Sequence, residues 1–151
     1  MNVRADADLL DFPAAHVIEL AVQPADIDAY GHVNNAVYLT WLDRAAWSHS
    51  ASLGVPLEQC QALRRGMAAQ RIEIDYLRAA QCGDRIRAAT WIANADGRLR
   101  AERRFQIIRV PDATTLARAR VDYVCINLDS GRAVRMPEIF ARAYVATSAR
   151  S

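Results

Sequence analysis

The 151-residue chain contains no lysine; all 19 of its basic residues are arginine. Biased codon use accounts for such a composition, and so does phosphate recognition by guanidinium forks; composition does not separate the two. Cysteine is scarce and odd in number, with Cys60, Cys82 and Cys125 far apart. No Cys-x-x-Cys pair or Cys/His spacing is present. That speaks against a disulfide framework and a zinc site, and it points to reduced thiols in a cytoplasmic protein with no metal. Long apolar runs are missing as well. None approaches the roughly 18–20 residues that a membrane-spanning helix needs. The first eleven residues carry Asp6, Asp8 and Asp11 and no apolar stretch, unlike a secretory signal. Residues 1–14 read as a mobile tail. Charge of one sign does not dominate either: the net charge is +2, which gives no drive toward nucleic acid or a membrane surface. GxGxxG, P-loop, nucleophile-elbow and HExxH motifs are absent, so no bound cofactor is implied.

What remains is an ordinary globular composition, 52% hydrophobic and 24% charged. It fits one domain over residues 1–151, without repeat or linker. Ala15 to Gln23 is rich in Val, Ile and Leu and reads as a strand that Pro24 ends. From Asn35 to Leu53 the period changes. Tyr38, Leu42, Ala45, Ala46, His49 and Leu53 recur at three- and four-residue steps, with Val37 and Trp41 broadening the stripe. Asn34 or Asn35 is a suitable N-cap, and Gly54-Val-Pro56 is a stop signal. Pro56 to Gly66 reads as a connector with a helical turn. Period-two segments follow over Met67 to Leu77, Arg85 to Ala93, Leu99 to Val110 and Leu116 to Leu128. Asp96-Gly97 is a two-residue hairpin signal, and Pro137 can start a short last helix. A strand, a long helix and four antiparallel strands make an α+β arrangement.

The densest polar cluster is Asp26-Ile-Asp-Ala-Tyr-Gly-His-Val-Asn-Asn35, directly ahead of the long apolar helix. Polar groups crowded against a buried element are costly, and function is the usual reason to keep them. A carboxylate can attack a carbonyl or activate a water, and a helix start offers free backbone N–H groups to a developing oxyanion. Asp26 reads as a loop-holding acid. Gly31 allows backbone that a side chain forbids. His32 is either an acid–base group or a pin for the loop. Asn34 caps the helix and Asn35 points into the site. His49, on the apolar stripe, reads as a satisfied core histidine. Tyr30, Tyr38, Trp41 and Trp47 either shape a pocket or belong to the core.

The Asp-x-Asp-x-x-Gly-His-Val-Asn-Asn loop, Tyr38, the Asp43-Arg44 pair, Ile72-Glu-Ile-Asp-Tyr-Leu77 and Gly83-Asp84 together resemble the hot-dog fold acyl-CoA thioesterases of the 4-hydroxybenzoyl-CoA thioesterase family. The resemblance spans about Ala15 to Pro137. It implies an antiparallel sheet wrapped around one long central helix and hydrolysis of an acyl-CoA to a free acid and CoA. It also implies homodimers with sites at the interface, often paired into homotetramers. It makes Asp28 the catalytic carboxylate and sets the thioester oxygen on the Asn35 N–H. Gly31, His32, Asn34, Tyr38 and Arg78 become supporting or substrate-binding residues, and Arg64, Arg65 and Arg85 further candidates for the CoA phosphates. Some relatives use an acid of the helix instead; with Asp28 present, Asp43 reads as a partner for Arg44 or another arginine.

Two rival functions bear on the same loop. Hot-dog hydratases and dehydratases carry Asp-x-Asn-Pro-x-His, whereas here His32 follows Asp28 by four positions and no Asn-Pro pair is present. A non-catalytic acyl-CoA or acyl-carrier binding protein is expected to lack Asp28. The acyl group itself is not encoded in any motif of the sequence.

Overall fold

A computed structural model describes residues 9–148. Five strands form one antiparallel sheet: β1 (His16–Ala21), β2 (Arg65–Tyr76), β3 (Arg85–Ala95), β4 (Arg100–Val110) and β5 (Thr114–Asn127). Their order across the sheet is β1-β3-β4-β5-β2, which leaves β1 and β2 at the edges. Three helices accompany them: α1 (Asn35–Ser52), α2 (Leu57–Leu63) and α3 (Glu138–Ala143). The sheet packs on α1 in the α+β, hot-dog arrangement that the sequence implies.

The helix forms where the three- and four-residue spacing lies. Tyr38, Trp41, Leu42, Ala45, Ala46, His49 and Ser50 are its buried residues. Tyr38, Trp41, Leu42, Ala45 and Ala46 meet Ile86, Ala88, Phe105, Ile107, Leu116 and Ala119 from the sheet in one apolar cluster. Small residues on the facing strands let the helix approach closely. Leu53, expected in the stripe, is exposed because the helix stops at Ser52 and Leu53 becomes the C-cap. The Pro56–Gly66 connector contains more helix than one turn, α2, which Pro56 caps and which ends on Arg64 in the left-handed region. A second cluster, around Val55, Cys60, Ile92, Cys125 and Phe140, closes the far end of α1. Cys60 and Cys125 are buried free thiols, while Cys82 is exposed.

Of the expected mobile tail, residues 1–8 lie outside the described residues. Leu9 to Ala14 is instead fastened to the sheet. Gln106, buried in β4, accepts from the Asp11 N–H at 2.8 Å and donates to the Leu9 carbonyl at 3.0 Å. Asp11 pairs with Arg118 at 2.7 Å, and Phe12 stacks on Trp91. Among the described residues, no helix is long and apolar enough to cross a membrane.

Candidate active site

The polar loop is held by its own backbone. Asp26 stands at the end of a single 3₁₀ turn and accepts the Gln23 N–H on Oδ2 at 2.8 Å. Its carbonyl accepts the Asn34 N–H at 2.8 Å, so it ties the start of the loop to its end. The Asp28 N–H donates to the His32 carbonyl at 2.8 Å, and the Gly31 N–H to the Asp28 carbonyl at 3.1 Å. Gly31 takes φ +79, which favours glycine. A methyl group there meets nothing within 4 Å, so the requirement is conformational and not one of space.

The two oxygens of Asp28 differ. Oδ1 accepts the Tyr30 N–H at 2.9 Å and, more weakly, the His32 N–H at 3.4 Å. Among the described residues Oδ2 has no hydrogen-bond partner, and the side chain is half-buried. One oxygen therefore fixes the carboxylate while the other stays available. His32 steadies the loop through its backbone, with an exposed ring.

At the start of α1, Asn34 is the N-cap and its Oδ1 accepts the Ala36 N–H at 3.0 Å. The Val37 N–H reaches the Asn34 carbonyl at 2.9 Å. Among the described residues the Asn35 N–H is left without an acceptor. It stands at the positive end of an 18-residue helix. The Asn35 carbonyl accepts from the Tyr76 hydroxyl at 2.9 Å, which ties the helix start to β2.

Asp28, His32, Asn35, Tyr38, Tyr76 and Arg78 line one open pocket. Tyr38 is a strut behind it: fully buried, it accepts the Ala80 N–H at 3.1 Å and meets Tyr76 edge-on. Burial pushes the Tyr38 hydroxyl above its ordinary pKa, so it stays protonated. Arg78 presents an exposed guanidinium. The other arginines considered for CoA are elsewhere. Arg64 is bound to Asp129 at 2.7 Å, and Arg85 lies 3.4 Å from Glu19. Arg64 and Arg65 precede or open β2, whereas Arg78 follows its end, a separation of about 40 Å at ~3.3 Å per strand residue. Within one chain they do not serve the same pocket.

Among the described residues, the loop and α1 thus assemble a carboxylate with a free oxygen and an unpartnered N–H at a helix start, with the exposed Arg78 beside them. Residues 22–144 match the thioesterase-like superfamily. The chain belongs to that family. A long-chain acyl-CoA thioesterase of Escherichia coli, FadM, is 26% identical over 119 residues, covering 78% of this chain and 88% of that protein. A 1,4-dihydroxy-2-naphthoyl-CoA thioesterase from Synechocystis superposes with a TM-score of 0.77 at 26% identity, covering 86% of this chain and 95% of that one. A Staphylococcus aureus protein solved in complex with CoA shares the fold, with a TM-score of 0.78 at 20% identity over 85% of this chain and 80% of its own.

A second cavity of this thioesterase was not foreseen from its sequence. It holds about 190 Å³ between the flank of α1 and the sheet, lined chiefly by apolar residues such as Leu42, Met67 and Ile92. Asp43 and Arg103 also line it. Asp43 was expected to pair with an arginine; among the described residues it forms no ion pair, and burial holds its carboxyl above the usual range. Arg103 is 3% exposed. It donates to Nδ1 of His49 at 2.6 Å and to Oγ of Ser50 at 3.2 Å. Burial, then Arg103 and His16, lower the His49 pKa to about 4, so His49 is a neutral acceptor. His49 is the satisfied core histidine that its place on the stripe suggests. Arg103 escaped the sequence reading because Glu102 and Arg104 flank it, making it look like one charge among several. The period-two phase of Ala101, Phe105 and Ile107 was the available signal: it places position 103 on the buried face.

Proposed function

We propose that this thioester hydrolase cleaves an acyl-CoA to a free carboxylic acid and CoA, with Asp28 as the reacting carboxylate and the Asn35 N–H as the oxyanion donor. One observation carries the assignment. The free Oδ2 of Asp28 and the N-terminal residue of α1 with its unpartnered N–H line a single pocket. Asp28 either takes a proton from a water that adds to the carbonyl carbon, or attacks that carbon itself to give an anhydride that water then opens. In both routes negative charge collects on the carbonyl oxygen. The Asn35 N–H and the helix dipole stabilise that charge, a contribution on the order of 3 kcal/mol for one well-placed donor. The C–S bond then breaks and the CoA sulfur leaves as thiolate, taking up a proton. Tyr38 and Asn34 hold the helix start, Gly31 and His32 the loop, and Arg78 is the nearest cation for a CoA phosphate. The relatives that carry CoA or acyl-CoA in their names support this substrate class.

CoA release from an acyl-CoA panel by wild type and Asp28→Asn tests the reading. Near-complete loss in the variant is expected, and equal rates refute it. A second reading makes Asp43 the reacting acid, because it lines the second cavity with its carboxyl pKa raised by desolvation. In that case Asp43→Asn abolishes CoA release and Asp28→Asn does not.

We also assign the assembly to a homo-oligomer that pairs β2 edges, with reduced thiols in a cytoplasmic setting. β2 is a twelve-residue edge strand carrying exposed Ile72 and Tyr76, the kind of edge that soluble proteins cover. Sedimentation giving a fully active monomer contradicts it.

A further inference from the structure

Both pockets are lined by residues of α1 and β2, one at the start of the helix and the other further along it. Asn35 and Tyr38 of α1 with Tyr76 of β2 line the open pocket. Residues between Leu39 and Ser50 of α1 and between Met67 and Ile72 of β2 line the second cavity. Exposed apolar side chains, Leu39, Trp47 and Ile72, lie on the same two elements. From Leu39 to Ser50 the helix rises about 16 Å at ~1.5 Å per residue. An elongated acyl group held by its thioester at Asn35 therefore finds apolar lining along α1. Its far end approaches the stretch of cavity where Ser50 and Arg103 meet.

Arg103 is out of place in such a cavity. Its neighbours across the sheet are Ile92 on β3 and Val121 on β5. Its hydrogen-bond partners, His49 and Ser50, are neutral, and among the described residues no carboxylate pairs with it. A buried cation without a counter-charge costs several kcal/mol of desolvation. The wall beside it offers further donors rather than acceptors. The Tyr123 hydroxyl makes no hydrogen bond among the described residues, and burial raises its pKa to about 12, so it remains a donor. The Tyr144 hydroxyl already donates to Ser50 at 3.0 Å. Asp43 is the one carboxylate lining the cavity among the described residues. It sits on an exposed turn of α1 about 10 Å before Ser50, at ~1.5 Å per residue, and near enough to Tyr123 to add to the rise in that hydroxyl's pKa, so an incoming anion is held on the Arg103 side of the tyrosine.

We propose that Arg103, with the Tyr123 hydroxyl, is a specificity-determining site that receives an anionic oxygen at the distal end of the acyl group, so that the enzyme favours acyl-CoAs whose chain ends in a carboxylate. The proposal rests on the acyl-CoA reading above for where the thioester lies. A closed cavity of about 150 Å³ accepts benzene, so the partly open one here, of about 190 Å³, takes a comparable apolar segment plus a small polar end.

The test pairs alkanoyl-CoAs with ω-carboxyacyl-CoAs of matched and increasing chain length, on wild type, Arg103→Met and Arg103→Lys. Wild type is expected to favour the carboxylated member at the length that reaches Arg103. Arg103→Met should lower its kcat/KM by roughly ten- to a hundredfold, the range of one charge-assisted hydrogen bond, while leaving the alkanoyl partner unchanged. Arg103→Lys should recover part of the preference. Absence of preference in wild type, or equal losses for both substrates in Arg103→Met, overturns the proposal. A melting measurement separates this outcome from failure of the hydrolase reading. A straight-chain carboxylate should stabilise wild type more than the alcohol of equal length does, and that difference should vanish in Arg103→Met even if no thioester is cleaved. Equal stabilisation by the two compounds overturns it as well.

Discussion

The loop pocket and the cavity beside it solve opposite problems on the same helix. The first is open and polar, and is built from backbone hydrogen bonds of a short loop; the groups proposed to act there are an oxygen and an N–H without partners among the described residues. The second is largely apolar and only partly open, built from core side chains with exposed Leu39, Trp47 and Ile72 at its rim, and its one full charge at the inner wall is buried against neutral partners. On the proposed reading, chemistry falls where water and substrate arrive, and selection falls where exchanging a side chain disturbs packing. Changes in the loop should therefore alter rate at constant stability, and changes at the cavity should alter stability and substrate choice together.

The largest expected effect tests the loop half of that contrast. Asp28→Asn should lower kcat by roughly 10²- to 10⁴-fold, the usual range for a carboxylate in acid–base work. The amide oxygen can still accept the Tyr30 N–H, so the melting temperature should stay at the wild-type value. Kinetics and a melting curve on one preparation check both parts, and a parallel loss of stability breaks the contrast. Next in size, Leu42→Ala on the cavity wall should cost about 2–5 kcal/mol by denaturant titration, since it removes a buried side chain between α1 and the sheet. Tyr38→Phe, on the boundary between the two regions, leaves the Ala80 N–H without its acceptor in a buried setting. About 1–3 kcal/mol of stability should be lost.

The smallest effect is a pH dependence on the cavity side. Burial, with Arg103 and His16 close by, holds the His49 pKa at about 4 against 6.5 for a free ring. Burial likewise lowers the pKa of His16, which stacks on it. Above pH 6.5 both folded and unfolded chains carry the neutral His49 ring. Between 6.5 and 4 the unfolded chain gains a proton that the folded one refuses, so stability is lost as the pH falls through that window. Melting temperature against pH should show a steeper acid loss for wild type than for His49→Gln, which keeps an acceptor for Arg103. Identical slopes would remove His49 from the account.

Sequence reasoning reached the loop pocket more readily than the cavity, for a physical reason. The loop is local: Asp26, Gly31, Asn34 and Asn35 act within ten residues, and turn and capping chemistry is written in adjacent positions. Gly54-Val-Pro56 and Asp96-Gly97 marked element ends in the same way. The cavity is assembled from α1, β2, β3, β4 and β5, so its parts meet only in space. Arg103 illustrates the difficulty: its burial depends on the phase of β4, while its immediate neighbours in sequence are charged and outward-facing. The second helix, Leu57–Leu63, reads in the sequence as little more than a turn because seven residues give too short a periodic signal. Leu9 to Ala14 read as tail because nothing local shows that Gln106, nearly a hundred positions away, holds it.

The edge of β2 reaches beyond the site. The outward backbone groups of a twelve-residue strand stand at the margin of the sheet with Ile72 and Tyr76 uncovered; on the proposed pairing of β2 edges, a newly made chain is unfinished until it meets another surface. During synthesis that surface is either a second copy or a misfolded neighbour. Concentration therefore acts in two directions: a dilute preparation should shed activity by dissociation, whereas rapid overproduction should divert chains into insoluble aggregates. Activity retained after serial dilution, compared with the soluble fraction at slow and fast expression, measures the two branches.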